Sequence, residues 1–427
     1  MSIILISIFI IGYIAIAFEH VIKINKSAIA LLTGVLCWAV YVFMSNDAQL
    51  ISEELSKHIS ELAGILFFLM GAMTIVELID AHDGFDVITN RIRTSNKRSL
   101  LFIICAITFF LSAVLDNLTT TIVMVSLLRK LIDDKNDRLL FIGMVIIAAN
   151  AGGAWSPIGD VTTTMLWIGG QITAGNIMLK LFIPSLVCLL VPVLILSFKL
   201  KGNVERPEIF IDKSLNPTTK FERNIVFFLG LGALIFVPIF KTITHLPPFM
   251  GVLFGLGILW VTTEIIHSKK DDDNKDSLSV VNALRRIDVP SILFFLGILI
   301  AIAALESTGI LSQFAQFMNN KIGNLNVIVP SIGILSAVID NVPLVAASMG
   351  MYDMTSYPAD SYLWEFLAYC SGTGGSILII GSAAGVAAMG MEKINFIWYL
   401  KKIAWLAILG YFSGAICYIG LEYFFHL

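Results

Sequence analysis

The sequence predicts an all-α polytopic membrane protein made of two inverted-topology repeats, each with five spans plus a re-entrant hairpin and a broken helix. Composition, the placement of basic residues and an internal repeat lead to this fold class. Of the 427 residues, 57% are hydrophobic and 14% are charged, and the mean hydropathy is +0.87. Because a soluble domain carries about a quarter charged residues, most of this surface must face lipid.

Apolar runs separated by polar breaks mark the candidate spans, since a helix needs about 20 apolar residues to cross the hydrocarbon core. Two other apolar stretches, 99–128 and 327–350, carry polar residues at their centres, and we predict that each is a re-entrant hairpin. The candidate spans are 2–18, 28–44, 61–80, 139–168, 177–198, 224–240, 248–266, 289–306, 362–390 and 403–424.

Basic residues favour this threading of the two hairpins. With the N-terminus outside, 24 of the 28 Lys and Arg residues fall on the cytoplasmic side, which is the bias that the positive-inside rule describes. A through-span at 99–128 would put the basic loops 91–98 and 129–138 on opposite faces, which fits the rule less well. Five spans in each half then place the second half upside down. The four exceptions are Lys57, Lys180, Lys241 and Lys321.

An internal repeat supports the same division. LSAVLDN at 111–117 recurs as LSAVIDN at 335–341, and FFLMGAMTIVE from Phe67 is echoed by FFLGILIAIAALE from Phe294. Downstream, AGGAWSPIGD and TGGSILIIGS also correspond, so the three matches are collinear. Repeats with interrupted helices in matching places indicate a substrate site between the two halves.

The predicted domain boundaries follow from this repeat. We predict the first repeat at 1–200, with its hairpin at 99–128 and its broken helix at 139–168. A cytoplasmic linker is predicted at 201–223. The second repeat is predicted at 224–427, with its hairpin at 327–350 and its broken helix at 362–390.

Each hairpin carries an Asp-Asn pair at its centre, Asp116-Asn117 and Asp340-Asn341. A carboxylate at membrane depth is costly unless it meets water, a cation or a proton, so such residues are candidates for a functional site. The alternative is structural, with Asp116 and Asp340 capping the helices that begin at the turn. The two interpretations are compatible, and capping suits Asp340 better than Asp116.

The Gly-rich segments indicate where the long helices break. Gly152, Gly153, Pro157 and Gly159 are not compatible with an uninterrupted helix. A break within the membrane is tolerated where the freed backbone lines a cavity or binds an ion. Glycines also serve simply to pack membrane helices closely, but Asp160 beside this break favours a function.

The two halves are not equivalent, because the first break carries Asp160 where the second carries Ser382. We therefore expect a small cation nearer the first half, held by hard oxygen ligands. Glu77 and His82 are second-rank candidates for a proton site or pH sensor, with an acidic helix end as the alternative. The predicted ligands are Asp116, Asn117, Asn150, Asp160, Thr162 and Thr163, completed by Ser336, Asp340, Asn341, Thr373 and Ser376.

The paired hairpins and broken helices resemble the ion transporter superfamily, which includes sodium-coupled dicarboxylate carriers and arsenite permeases. VLDNLTTTIVM, VIDNVP and NAGGAWSPIGDVTT resemble the NhaD-type sodium/proton antiporters in particular. The resemblance implies exchange of Na⁺ or Li⁺ for H⁺ across a bacterial inner membrane, an elevator-like motion and a homodimer in lipid. It implies no cofactor and no nucleic acid. The residues implied as functional are Asp116, Asn117, Asn150, Asp160, Thr162, Thr163, Ser336 and Asn341.

Two related transport activities are the alternatives. A sodium-dicarboxylate symporter presents neutral tips to its anion, whereas Asp116 and Asp340 would repel a carboxylate. An arsenite permease, whose substrate is neutral, would favour thiols or uncharged polar groups, and the five cysteines lie away from the motifs. An enzyme is not expected, because the sequence contains neither HExxH nor GxSxG.

Overall fold

The computed structural model describes residues 2–17, 19–45, 47–89, 92, 94–207, 218–268, 270, 276–338 and 340–425. The central part of the predicted linker, 208–217, therefore lies outside the described residues. The described residues form 21 helices. In the first half these are α1 (Ser2–Ala17), α2 (Glu19–Ile22), α3 (Lys26–Phe43), α4 (Ala48–Ala81), α5 (Asp86–Thr89), α6 (Lys97–Leu115), α7 (Asn117–Leu131), α8 (Lys135–Ala154), α9 (Val161–Ile168) and α10 (Ala174–Lys199). In the second half they are α11 (Lys220–Thr244), α12 (Pro248–His267), α13 (Val280–Arg286), α14 (Val289–Ser307), α15 (Ile310–Lys321), α16 (Leu325–Leu335), α17 (Asn341–Met351), α18 (Tyr362–Gly374), α19 (Ala383–Glu392), α20 (Phe396–Lys402) and α21 (Ala404–Phe425).

The all-helical membrane fold that the composition predicts is confirmed. Nine helices in the described part of the chain are long and apolar enough to span a bilayer: α3, α4, α6, α8, α10, α11, α12, α14 and α21. The helix α1, which covers the predicted first span, is apolar and slightly shorter. At 1.5 Å per residue, α16 and α17 each reach about 16 Å, too short to cross a hydrocarbon core of about 30 Å.

The central helix breaks lie where the polar residues predict them. The first stretch changes from α6 to α7 at Asp116, and the second changes from α16 to α17 at the turn that ends with Asp340. Because α6 has 19 residues, length alone does not make it a half-span, and the sidedness of the first hairpin stays a prediction. The inverted orientation of the second half also stays a prediction.

Two polar segments that lie outside the predicted spans are helical. The helix α4 begins at Ala48, capped by Asp47, and not near 61, because Glu and Lys in 48–60 are good helix formers that need no lipid. Its 34 residues are about 51 Å long. The amphipathic helix α15 similarly occupies a region between predicted spans.

The two halves use matching contacts around their breaks. Gly152 of α8 lies against the backbone of Phe109, and Gly374 of α18 lies against the backbone of Gly333. A Cβ at either glycine would collide with main-chain atoms, so glycine is required for the close approach. Ser112 donates to the carbonyl of Ala149, and its counterpart Ser336 donates to that of Ser371.

The helices pack into two groups. One, the scaffold bundle, contains α1, α3, α4, α11, α12 and α14. The other, the site bundle, contains α6–α10, α16–α19 and α21, and within it α7 packs on α8 and α19 while α18 packs on α8 and α16. The site bundle therefore brings both hairpins and both broken helices together. It meets the scaffold where α17 packs on α14 and α9 packs on α4.

Candidate ion-binding site

Asp160 is the centre of a buried polar cluster to which both hairpins contribute. Its side chain is 1% exposed. Asn117 Nδ2 at the first tip donates to Asp160 Oδ2 at 2.6 Å. Asn341 Nδ2 at the second tip lies 3.4 Å from Asp160 Oδ1 and 3.3 Å from Oδ2. The Asn of each Asp-Asn pair thus reaches the same carboxylate from opposite halves of the chain.

The first helix break holds this carboxylate in place. Asp160 is the N-cap of α9, and its Oδ1 accepts hydrogen bonds of 2.8 Å from both the amide N and the hydroxyl of Thr162. Thr163 donates its hydroxyl to the Asp160 carbonyl. Free N–H groups and the positive end of the helix dipole stabilise a negative charge at this position. The break therefore places a carboxylate in the membrane and partly compensates its charge.

Asn150 connects the cluster to the second broken helix. Its Oδ1 accepts from Asn117 Nδ2 at 3.0 Å. Its Nδ2 donates to Ser376 Oγ and to Ser382 Oγ, both at 2.9 Å. Asn150 is therefore an internal bridge between the two halves, and each of its polar atoms is used.

Asp116 is close to this cluster but faces a different environment. Its carboxylate accepts from the backbone N–H of Thr119 at 2.7 Å and from the Thr119 hydroxyl at 3.0 Å. It also lines a cavity of about 20 Å³ together with Phe68 and Leu69 of α4 and Leu234 of α11. Asp116 therefore borders the space next to the scaffold bundle, whereas Asn117 makes the contact with Asp160.

The backbone of Asp116 is strained. Its φ of 78° and ψ of 161° belong to a region that is almost confined to glycine, at a cost of about 1–3 kcal/mol. The second tip lacks this strain, because Asp340 has a φ of −45°. The expected difference between the two tips is thus present in the backbone as well as in the sequence.

Asp340 is also oriented away from the Asp160 cluster. Its Oδ1 accepts from the amide N of Val342 at 3.3 Å, and its Oδ2 lies 3.9 Å from Lys26 Nζ. The capping role predicted for the tip aspartates is present at both tips, since Asp116 and Asp340 each cap a helix. Their role as cation ligands stays a prediction.

Other predicted ligands are divided between the cluster and structural contacts. The cluster brings together Asn117, Asn150, Asp160, Thr162, Thr163, Asn341 and Ser376. Ser336 instead donates to the Ser371 carbonyl at 3.1 Å, and Thr373 donates to the Tyr369 carbonyl at 2.6 Å. The Ser336 hydroxyl therefore links the end of α16 to α18, whereas the Thr373 hydroxyl bonds within α18 itself.

The second-rank candidates lie away from the cluster. Glu77 pairs with Arg286 at 3.2 Å near the end of α4. His82, just beyond α4, is fully buried and stacks on His267 with ring centroids 5.0 Å apart. Its Nδ1 contacts the Leu78 carbonyl at 2.7 Å. Burial lowers the pKa of His82 to about 4, which keeps the ring neutral at physiological pH.

Three polar residues were missed by the sequence analysis. Ser382 could have been included, since the repeat already aligned it with Asp160. Glu365 is 1% exposed and accepts from Tyr418 Oη at 2.7 Å and from Asn176; a single carboxylate in the apolar part of α18 was its signal. Lys26 had no signal, because its partner is 314 positions away.

A cavity of about 620 Å³ lies between the two bundles. On the site bundle it is lined by Met165 of α9 and Met349 of α17, and on the scaffold by Glu306. Lys241 of α11 also lines it, donating to the Trp167 carbonyl at 2.9 Å and lying 4.5 Å from the centroid of the Trp167 ring. The cavity therefore borders both helices that begin at the cluster.

Comparison with known proteins relates this arrangement to transporters. A family model described as a citrate transporter, CitMHS, matches residues 13–366. The chain is 49% identical to sodium/proton antiporter 1 of Arabidopsis thaliana, over 96% of this chain and 71% of that protein. It is 30% identical to the Na(+)/H(+) antiporter NhaD of Vibrio cholerae, over 97% of this chain and 91% of that protein.

A solved structure shares the fold. The Alcanivorax borkumensis YdaH transporter, described as having an unusual topology, superposes with a TM-score of 0.59 at 10% identity, covering 93% of this chain and 97% of that chain. This likeness extends over nearly the whole molecule and concerns the fold alone. The sequence matches, together with the nine candidate spans of the described residues, show that the chain is a multi-pass membrane transporter of the CitMHS family and an NhaD-type member of it.

Proposed function

We propose that the protein exchanges Na⁺ for H⁺ at the Asp160 cluster. The observation that carries the proposal is one buried carboxylate, Asp160, contacted by an Asn from each hairpin tip. A carboxylate can be neutralised by a proton or by a bound cation, so the two compete for it. Competition at one site is sufficient for exchange. The relatives named as sodium/proton antiporters support the same cation pair.

The side chains around Asp160 can accommodate either a proton or a cation on its carboxylate. Asn117 and Asn341 now turn their amide nitrogens toward Asp160, which stabilises the bare carboxylate. Half a turn of either carboxamide would present an oxygen to a cation instead. If the Asn117 carboxamide rotated, its oxygen would face the oxygen of Asn150, so Asn150 would have to rotate as well. The Asn150 oxygen would then face Ser376 and Ser382, whose hydroxyls would donate to it and no longer accept from its nitrogen. Binding in one half would thereby be transmitted to the other.

We extend the proposal to alternating access by an elevator-like movement of the site bundle against the scaffold bundle. The cavity of about 620 Å³ supports it, because it leaves space between the scaffold bundle and the helices α9 and α17. A second conformation in which Trp167 has left Lys241 is the expected observation. A structure with Na⁺ released to the other side and this contact unchanged would refute the movement.

The finer expectations from the family resemblance are also proposals. Li⁺ is expected to replace Na⁺, because the same hard oxygen ligands suit it. A homodimer in the bacterial inner membrane is expected, and the bacterial relatives support that membrane, although other relatives come from a plant. Native mass measurement in detergent tests the dimer.

An anion such as citrate, which the family description names, is the second candidate. The carboxylate of Asp160 at the centre of the site and that of Asp116 at the first tip would repel it. The ammonium group that contacts a tip, Lys26, already faces Asp340. The charge of the site therefore favours a cation, as it also does over the arsenite alternative.

Transport in everted membrane vesicles tests the function. Added Na⁺ should collapse an imposed pH gradient with the wild-type chain, and Asp160→Asn should lower this response at least tenfold. Asp353→Asn, at an exposed position outside the cluster, is the matched control and should retain it. No response of the wild type to Na⁺ or Li⁺ from neutral to alkaline pH would contradict the antiport proposal. Wild-type exchange by Asp160→Asn would place the site elsewhere, and uptake of labelled citrate or succinate would favour the anion.

A further inference from the structure

The second hairpin tip contacts a lysine that belongs to the scaffold bundle. Lys26 is the first residue of α3, and its Nζ lies 3.9 Å from Asp340 Oδ2 and 4.5 Å from the centroid of the Phe294 ring. Both charged side chains are largely buried, with exposed fractions of 25% and 17%. At 3.9 Å the pair is a contact between charges without a hydrogen bond, and the aromatic face of Phe294 adds a second favourable interaction for the ammonium group.

The position of Lys26 is fixed by its own bundle. Its backbone N–H donates to Glu19 Oε1 at 3.1 Å. The preceding Asn25 caps α3 by accepting from the Ser27 amide at 2.8 Å, and the Ser27 hydroxyl donates to the Pro290 carbonyl at 2.6 Å. These contacts anchor the start of α3 to α14, so the ammonium group is presented from a rigid base.

The pair is one residue removed from the ion cluster. Asp340 starts α17 by capping the Val342 amide, and the next residue, Asn341, places its Nδ2 3.3 and 3.4 Å from the Asp160 carboxylate. The orientation of Asn341 therefore depends on how Asp340 is held. A charge change at either Lys26 or Asp340 would reach Asp160 through both geometry and electrostatics.

The first tip has a contrasting environment. The cavity beside Asp116 is lined by the apolar side chains of Phe68, Leu69, Met73 and Leu234, among others. The two tip aspartates are thus chemically different, although the repeat makes them equivalent in sequence. An ammonium group balances one of them, and the other lies against apolar side chains.

We propose that Lys26 is a positioning residue of the cation site, acting as a fixed counter-ion for Asp340. The pair is neutral, so the second tip adds no net charge to the cluster, and the transported cation is held by Asp160 without Asp340 as a ligand. Lys26 thereby sets the orientation of Asn341 and the affinity of Asp160 for cations. This inference rests on the proposed exchange function and assigns a role to a residue outside the predicted ligand set.

A cycle of single and double variants tests the inference, with the half-saturating Na⁺ concentration and the pH profile of exchange as readouts. Asp340→Asn leaves the ammonium group unbalanced, so the half-saturating Na⁺ concentration should rise about three- to tenfold and the pH profile should shift to lower pH. Lys26→Met leaves the carboxylate unbalanced and should shift both readouts in the opposite direction. The double variant should return toward wild type, and Lys26→Arg should retain wild-type behaviour.

The outcomes separate the two proposals. Lys23→Met, an exposed position in the same connection, is the matched control and should behave as wild type. If Asp340→Asn and the double variant are equally inactive while Lys26→Met is active, Asp340 is itself a ligand and the inference is wrong. Unchanged Na⁺ dependence and pH profile in Lys26→Met would also overturn it. Absence of Na⁺ exchange in the wild type would refute the proposed function instead.

Discussion

Replacing Asn150 with alanine should destabilise the protein by removing the hydrogen-bonded bridge between its halves. Asn150 makes one bond to Asn117, one to Ser376 and one to Ser382. Hydrogen bonds inside membrane proteins contribute about 0.6 kcal/mol each on average, and buried bonds in soluble proteins contribute about 1 kcal/mol. Three of them give a loss of about 2–3 kcal/mol in the free energy of unfolding.

Thermal unfolding of the purified protein in detergent measures this loss. Asn150→Ala should melt roughly 2–5 °C below wild type, given the scaling of melting temperature with stability in large domains. Its half-saturating Na⁺ concentration should also rise, because Asn117 loses a partner that orients it. Ser371→Ala is the matched control, since Ser371 is equally buried but its hydroxyl bonds within its own helix, to the carbonyls of Leu367 and Ala368. If both variants melted together and bound Na⁺ alike, the bridge would have no energetic role.

Two further predictions concern packing and protonation. Gly152→Ala should lower the free energy of unfolding by about 1–3 kcal/mol, because the new methyl group would lie within 3 Å of Phe109 main-chain atoms. Gly257→Ala is the control, since the space around Gly257 is open, and it should leave the free energy of unfolding unchanged. Equal melting temperatures of the two variants would refute this. His82→Gln should leave the pH profile of exchange above pH 6 unchanged, since burial lowers the pKa of His82 to about 4 from 6.5. Between about pH 6.5 and pH 4, His82 binds a proton in the unfolded chain but stays neutral in the folded chain. As the pH falls through that interval, the free energy of unfolding of the wild type should therefore decrease more steeply than that of the variant. A shifted profile between pH 7 and 9 in His82→Gln would show that this histidine titrates during transport.

The helix breaks were predictable because a polar residue within an apolar run has few structural explanations. Asp116 and Asp340 each begin a new helix, as their place in the sequence indicated. The glycine pairs mark real close approaches between backbones, which no other residue permits. Loop charge and repeat length could likewise be read directly, since they depend on position along the chain and not on side-chain orientation.

Side-chain orientation was not predictable in the same way. The sequence predicted both residues of each Asp-Asn pair as ligands and did not distinguish between them. In the structure Asn117 and Asn341 contact the Asp160 carboxylate, whereas Asp116 and Asp340 cap helices. Adjacent residues on a tip point in different directions, and only the packing of the other helices decides which one faces the cluster. The contact between Lys26 and Asp340 depends on the same packing. The length of α4 was underestimated for another reason, because hydropathy detects lipid contact and does not detect a helix that continues into water.

The excess length of α4 has a practical use. A helix of about 51 Å exceeds the hydrocarbon thickness by about 20 Å, so its first turns form a continuous rod beyond the bilayer. A small globular protein whose terminal helix is fused in frame to this end of α4 would be held in a fixed orientation relative to the transporter. For a transporter of 46.8 kDa that is otherwise almost hidden in a detergent micelle, such a fiducial would give electron microscopy a feature by which to align images of each conformation.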